Sequence, residues 1–316
     1  MNEFELIQRH FTRPAGNAVL GVGDDAAIVR PTPGHDLHVS VDMLVEGRHF
    51  FADVAPRALG HKTLAVNLSD MAAMGATPRW VVLSLALPQL DEHWASEFAA
   101  GFFGLAEAHG VSVIGGDTTR GPLTLSATIF GETLAGQALR RDAARVGDDI
   151  WVSGELGLAA LAVRQRLRGD VDPPPDVLAQ CRRKLDYPTP RVALGLQLLD
   201  LAHAAIDVSD GLMADLGHIL ERSGVAAEVW LEALPTLPWL AENRLSFPGI
   251  IAAGGDDYEL CFTAPTSARA ELAALAEALD CPLTRVGRIV AGQGGRLLDA
   301  DGQTVTLQRS GFDHFA

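Results

Sequence analysis

Residues 37–45, LHVSVDMLV, alternate apolar with polar from Leu37 to Met43. A period of two argues for a half-buried strand. The next segment changes period. Residues 56–74 read as a helix opened by Pro56 and stopped at Gly75, and RWVVLSLAL (79–87) is a strand closed by Pro88. A second helix covers 91–109, with Asp91 as its N-cap and Gly110 after its end. VSVIGG (111–116) and LTLSATIFGET (123–133) are strands. Residues 2–11 form a helix ahead of the series. The order strand–helix–strand–helix–strand–strand predicts a sheet with helices on one face, and an α+β class.

GDDIWVSGELG (147–157) restarts the pattern with a strand and a glycine-rich turn. The domain boundary is placed near residue 143, giving domains 1–142 and 143–316. Helices are expected over 155–168, 176–185, 190–203, 210–224 and 266–279. Strands are expected at 204–209, AEVWL, YELCFTA and in short pieces over 283–307. The two halves echo one another. NLSDMAAMG (67–75) resembles DVSDGLMADLG (207–217), and GGDTT (115–119) resembles GGDDY (254–258). The intervening elements do not correspond, so each half is read as placing acids at element ends independently.

Forty acidic against 25 basic residues give a formal charge of −15, which disfavours a nucleic-acid partner. No apolar run approaches the roughly 20 residues of a membrane helix, so no membrane association is expected. MNEFELIQRHF lacks the basic start and apolar centre of a signal peptide. Cys181, Cys261 and Cys281 have no C-x-x-C spacing and read as buried apolar residues of a reduced, cytoplasmic protein.

The acids have a distinctive placement. Asp25 follows a Gly-x-Gly turn, Asp42 interrupts a strand, and Asp117 ends one. Asp70 sits in AVNLSDMAAMG, Asp207 and Asp210 in AIDVSDG, and Asp256 and Asp257 in AAGGDDY. Singly each is ordinary. Gly-Asp pairs make turns, and Ser69-Asp70 or Ser209-Asp210 could open helices. Together, acids beside apolar or glycine neighbours and far from basic residues suggest a shared site. Two charges 4 Å apart repel by about 4 kcal/mol at an effective dielectric near 20. Hard divalent cations would offset that, and Mg²⁺ takes carboxylates together with substrate phosphates. Glycines would let a phosphate approach the backbone.

GVGDDAAIV (21–29) also fits G-x-G-x-x-A, but a dinucleotide loop needs bare N–H groups, and two carboxylates would repel a pyrophosphate. The preceding TRPAGNAVL is a poor strand. No Gly-Lys-Ser/Thr, Gly-x-Ser-x-Gly or His-Glu-x-x-His occurs. The reading is a magnesium–phosphate enzyme outside the P-loop class.

The ordered set GVGDDAAIV, VSVDMLVEGRHF, AVNLSDMAAMGATP, VIGGDTTRGP, AIDVSDGLMADLGHI, GGDDYELCF and GFDHFA resembles the bacterial thiamine-monophosphate kinases, from residue 21 to the end. The wider superfamily includes aminoimidazole ribonucleotide synthetase and selenophosphate synthetase. The resemblance implies a two-domain α+β fold. The N-terminal domain would bind ATP and Mg²⁺ and dimerise through its sheet. The C-terminal α/β sandwich would complete the site. It implies that Asp25, Ser40, Asp42, Asp70, Asp117, Asp207 and Asp210 hold several Mg²⁺ ions. Gly116, Asp117, Arg141 and Ser209 would meet ATP, and His49, Asp256 and Phe312 the thiamine phosphate. Asp24 is left to orient its turn. Val41 stands where the family often has Thr, Asp256 where it often has Glu, and Phe312 where it often has Tyr or Trp.

The implied reaction is ATP plus thiamine monophosphate giving thiamine diphosphate plus ADP in a homodimer. A phosphate nucleophile already carries about −1.5 to −2 charge at pH 7 and needs no general base, which matches the lack of a base dyad. One rival is another ATP enzyme of the superfamily. Selenophosphate synthetase is disfavoured because no cysteine precedes Cys181, and aminoimidazole ribonucleotide synthetase by the GFDHFA tail. A non-catalytic divalent-metal-binding protein is a rival of another class.

Overall fold

The computed structural model describes residues 3–312, with side chains from Glu5 onward. Residues 313–316 of GFDHFA lie outside the described residues. The chain forms two compact units. The first takes residues up to Met71 with Ala76–Ala138, and the second takes Ala72–Gly75 and everything from Leu139.

The first unit contains α1 (Glu3–Leu6), β1 (His35–Val45), α2 (Pro56–Ala73), β2 (Thr77–Leu87), α3 (Glu92–Ala108), β3 (Ser112–Arg120) and β4 (Thr124–Leu134). Its sheet runs β1–β4–β2–β3. The β1–β4 and β4–β2 pairs are antiparallel, and α3 is the crossover between the parallel β2 and β3. Asp91 caps α3 by accepting the Trp94 N–H at 3.0 Å. Leu44, Leu125 and Leu85 form a buried row on the inner face, where Phe98, Phe102 and Ile129 are also fully enclosed.

On the other face β1 breaks the usual rule. Its apolar set, Leu37, Val39, Val41 and Met43, is 42–61% exposed, while Ser40 and Asp42 alternate to the inner face. The alternation in LHVSVDMLV thus describes a strand whose polar residues point inward. Asp70 also departs from a helix-start reading, since it lies deep within α2.

The second unit holds β5 (Asp149–Ser153), α4 (Leu158–Arg168), α5 (Pro175–Asp186), α6 (Val192–Leu198), β6 (Ala204–Val208), α7 (Leu212–Ser223), β7 (Ala226–Trp230), α8 (Pro238–Glu242), α9 (Pro248–Ala253), β8 (Glu259–Ala264), α10 (Arg269–Ala278), β9 (Leu283–Val290) and β10 (Gly294–Leu298). The mixed sheet runs β10–β7–β9–β5–β8–β6, with β10–β7 its parallel pair. Helix α7 packs against β6, β8 and β10, and α10 against β9. Strands β5, β6 and β8 are buried at every position. The two sheets differ in strand order, so the sequence echo does not mark a repeated topology.

Helices α2 and α3 approach backbone to backbone at two glycines. A Cβ on Gly60 would strike the Phe98 carbonyl, and one on Gly101 the Arg57 carbonyl. Gly104, one turn later on α3, faces open space. Gly101→Ala should cost about 1–3 kcal/mol by overpacking. Gly104→Ala should stabilise by about 0.4–1 kcal/mol through the unfolded chain. Urea melts of the two variants check the contrast, and equal effects would mean that the close approach is absent.

Candidate functional site

In the first unit the inward turn of β1 brings two carboxylates together. Ser40 and Asp42 sit opposite Ile129 and Ala127 of β4, on the helix-covered face. The Ser40 hydroxyl donates to Asp70 Oδ2 at 2.5 Å, and Asp42 shares a hydrogen bond with Asp70. Burial, then the charge of Asp70, then that hydrogen bond push the Asp42 carboxyl up to about 7. All these ligand atoms are hard oxygens, the donor set that suits a hard divalent cation.

Asp25 lies on an exposed turn, where Asp24 Oδ1 accepts the Asp25 N–H at 2.9 Å. His49 follows β1. Its Nδ1 accepts the Val45 N–H at 2.9 Å, so a neutral ring carries its proton on Nε2. The buried Lys62 ammonium donates to the His49 carbonyl at 3.3 Å. Gly116 and Asp117 are on β3, and a Cβ on Gly116 would strike the Leu83 carbonyl.

Asp117 does not join Asp42 and Asp70. The β2–β3 register shifts between Val81 and Val82, so that Ile114 has no partner and Gly115 aligns with Val82. Asp117 consequently aligns with Ser84, in the outer row Met43–Ser126–Ser84–Asp117. Without that extra residue it would face the core beside Leu85. Asp42 and Asp117 are therefore on opposite faces, and β1 and β3 are opposite edges about 14 Å apart at three strand spacings. Among the described residues, no three His, Cys, Asp or Glu side chains are gathered as a metal site.

In the second unit Ser209, Asp210, Asp256 and Phe312 come together beside Asp207, whereas Arg141 does not join them. Asp207 is the penultimate residue of β6 and is 4% exposed. Ser209, Asp210 and Gly211 follow, and α7 starts at Leu212. The N–H groups of Ser209, Asp210 and Gly211 all donate to one oxygen, Asp215 Oδ2, at 3.0 Å each. The Ser209 carbonyl accepts the Asp256 N–H at 2.8 Å, and the Asp210 carbonyl accepts the Phe312 N–H at 2.9 Å. The Gly211 carbonyl accepts from Ala214 and Asp215 N–H groups at 3.0 Å. Every backbone polar group of the loop is thus engaged.

Asp256 and Tyr258 adopt φ of 67° and 50°, a left-handed geometry disfavoured for residues with a Cβ. Their N–H groups reach back to Ser209 and Val208. Between them, Asp257 is fully buried and accepts the Gly157 N–H at 2.9 Å. Burial holds its carboxyl well above the usual range, against the Gly157 bond and Lys184. Just beyond, the buried Glu259 accepts from Lys184 at 2.5 Å, Arg191 at 2.6 and 2.8 Å, and Ser153 Oγ at 2.6 Å. Burial, then the charge of Asp210, push the Asp215 carboxyl up to about 7, against its three N–H donors. Arg141 stands away from Ser209. Its carbonyl accepts from Ser223 Oγ at 2.9 Å at the far end of α7, a helix of 12 residues or about 18 Å.

Residues 23–133 match the model of the AIR synthase related protein N-terminal domain, and 145–300 that of the C-terminal domain. The chain is 43% identical over 321 residues to thiamine-monophosphate kinase of Salmonella typhimurium, covering 99% of this chain and 98% of the relative. This chain belongs to the thiamine-monophosphate kinase family. The Bacillus subtilis family member is 33% identical over 333 residues, covering all of both chains. The crystal structure of the Stenotrophomonas maltophilia family member matches with a TM-score of 0.86 and 49% identity over 96% of both chains. A structure of AaThiL complexed with AMPPCP and TMP matches with a TM-score of 0.76 and 31% identity, over 99% of this chain and 96% of that one.

Sequence reasoning missed Asp215 and the Glu259 cluster. A signal existed for each. Asp215 falls on the apolar stripe of Leu212, Leu216 and Ile219, and Glu259 interrupts an apolar strand.

The raised pKa of Asp42 has a defined consequence for stability. Its folded value, about 7, exceeds the ordinary 3.8, so ionising it opposes folding. That penalty is absent below 3.8, grows with pH, and is complete above about 7. Without divalent ions, Asp42→Asn should melt with the parent near the lower limit and above it at higher pH. Melting temperatures in chelator across this range test it, and a constant difference at every pH would exclude repulsion as the cause.

Proposed function

We propose that this protein transfers the γ-phosphoryl group of ATP to the phosphate of thiamine monophosphate, forming thiamine diphosphate and ADP. The observation that carries the reading is the match along nearly the whole chain to a relative complexed with AMPPCP and TMP, in a chain with paired oxygen ligands on Ser40, Asp42 and Asp70. Asp25, Ser40, Asp42, Asp70, Asp117, Asp207 and Asp210 are proposed as Mg²⁺ ligands. Bound Mg²⁺ would neutralise phosphate charge, the main electrostatic obstacle to phosphoryl transfer. Gly116, Asp117 and Ser209 are assigned to ATP, with Arg141 reaching the nucleotide from the far end of α7. His49 positions the acceptor, and no general base is required. Phe312 offers an aromatic face to the thiazolium cation, an attraction of about 0.5–2 kcal/mol. Asp256 adds negative charge.

We further propose a homodimer formed through the outer face of the first sheet. The uncovered Leu37, Val39, Val41 and Met43 support it. So does Asp117, whose outward placement leaves the ligand set divided within one copy. The first unit is then the ATP-binding and dimerisation domain, and the second completes the acceptor site. ATP as co-substrate implies a cytoplasmic location. Among the described residues no helix is long and apolar enough to cross a membrane.

Purified protein incubated with ATP, Mg²⁺ and thiamine monophosphate should yield thiamine diphosphate, read as thiochrome fluorescence after oxidation. Chelator, or free thiamine as acceptor, should abolish the signal. ADP without thiamine diphosphate would point to another ATP enzyme of the superfamily. Failure to consume ATP with any acceptor would favour the metal-binding rival. Asp42→Asn and Asp207→Asn should nearly abolish turnover.

The assignments at the two ends of α7 separate by substrate. Arg141→Ala should raise KM for ATP, and deleting residues 312–316 should raise KM for thiamine monophosphate more than that for ATP. Equal small effects on both substrates would reduce the tail to packing.

A further inference from the structure

Three consecutive N–H groups converging on one oxygen form a nest, the backbone geometry that elsewhere captures phosphate. Here the nest of Ser209, Asp210 and Gly211 lies just before a 12-residue helix, and an acid of the same chain fills it. Asp215 is 4% exposed, whereas Ser209 and Asp210, which it holds, are half-buried. Gly211 packs closely against its neighbour. Its φ is 123°, and a Cβ there would meet the Ala253 backbone at 2.6 Å. The loop is clamped on its carbonyl side by Asp256 and Phe312, and Asp215 clamps its amide side.

We propose that Asp215 is the positioning residue of the nucleotide and metal loop: an internal carboxyl oxygen that occupies the Ser209–Gly211 nest, fixes the Ser209 and Asp210 side chains toward their ligands, and keeps phosphate off the backbone amides. The inference rests on the assignment of Ser209 to ATP and Asp210 to Mg²⁺ made above. Oδ2 accepts the three bonds whether or not Oδ1 carries a proton, so the role does not depend on charge state. Without this acceptor, three N–H groups at the edge of a buried strand would lose their partner, and the loop would rearrange or admit an outside anion.

The test compares wild type with Asp215→Ala, Asp215→Asn and Asp210→Asn. Affinity for AMPPCP with Mg²⁺ is measured by calorimetry, and turnover and melting temperature are measured alongside. Supporting groups one step behind ligands typically change affinity or activity about 10–100-fold. Asp215→Ala should lose nucleotide affinity on that scale. Added formate, a free carboxylate sized for the vacated nest, should restore much of it. Formate should do nothing for Asp210→Asn, whose nest is intact. If Asp215→Ala does not fold, Asp215→Asn decides. Its amide oxygen can take the place of Oδ2, so nucleotide affinity should follow amide exchange at residues 209–211: both near wild type where the nest stays filled, both disturbed where it does not.

Wild-type affinity in Asp215→Ala would overturn the proposal. So would a loss that follows the melting temperature and ignores formate, or weaker nucleotide binding in Asp215→Asn with amide exchange at residues 209–211 unchanged. The assignment beneath it fails separately: Asp210→Asn and Ser209→Ala would then bind Mg²⁺ and AMPPCP as wild type does.

Discussion

A carboxylate withdrawn from water has to be matched by a cation, by N–H donors, or by a proton. This chain uses all three devices, and their distribution organises the molecule. Glu259 is matched by Lys184 and Arg191, and Asp149 by Arg269 and Arg285. Asp215 and Asp257 are matched by backbone N–H groups. At Asp42 and Asp70 the match comes from a neighbouring carboxyl and a serine hydroxyl. The first two devices leave the acid satisfied and structural. The third leaves negative charge in reserve, and it is there that the proposed cations belong.

The buried acids also explain why the second unit presents a loop of fixed shape. Glu259 anchors the first residue of β8, and Asp257, two residues earlier, is held by Gly157. Asp256 and Tyr258 are forced into left-handed backbone geometry, from which their N–H groups bond the end of β6. Strain of about 1–3 kcal/mol per residue persists only where surroundings over-determine it, and these ties supply that determination.

Most elements were legible in the sequence because strand and helix periods are local. The α3 start at Asp91, the boundaries of α2 and the strands β5, β6 and β8 follow from periodicity and capping. Two things were not legible. Periodicity says that β1 alternates, but not which half faces the helices, and the apolar half faces outward. Likewise GGD within β3 identifies Asp117 as notable, but its face depends on one unpaired residue, Ile114, whose effect appears only once β2 and β3 are in register. The acids of the second unit were visible as a motif, but the identity of their organiser was not. An aspartate in the first turn of a helix ordinarily reads as a partner for the helix dipole, and nothing local reveals that Asp215 instead gathers three amides.

The closed hydrogen bonding of the Ser209–Gly211 loop carries a thermodynamic implication. Fixing the backbone of a residue costs roughly 1–2 kcal/mol of conformational entropy. For this loop the cost is met when the chain folds, before any nucleotide arrives. Association at the loop should therefore be governed by desolvation and charge neutralisation, with little contribution from disorder-to-order transitions. If the proposed assignment of this loop to nucleotide holds, its rigidity would favour fast, reversible exchange over slow capture.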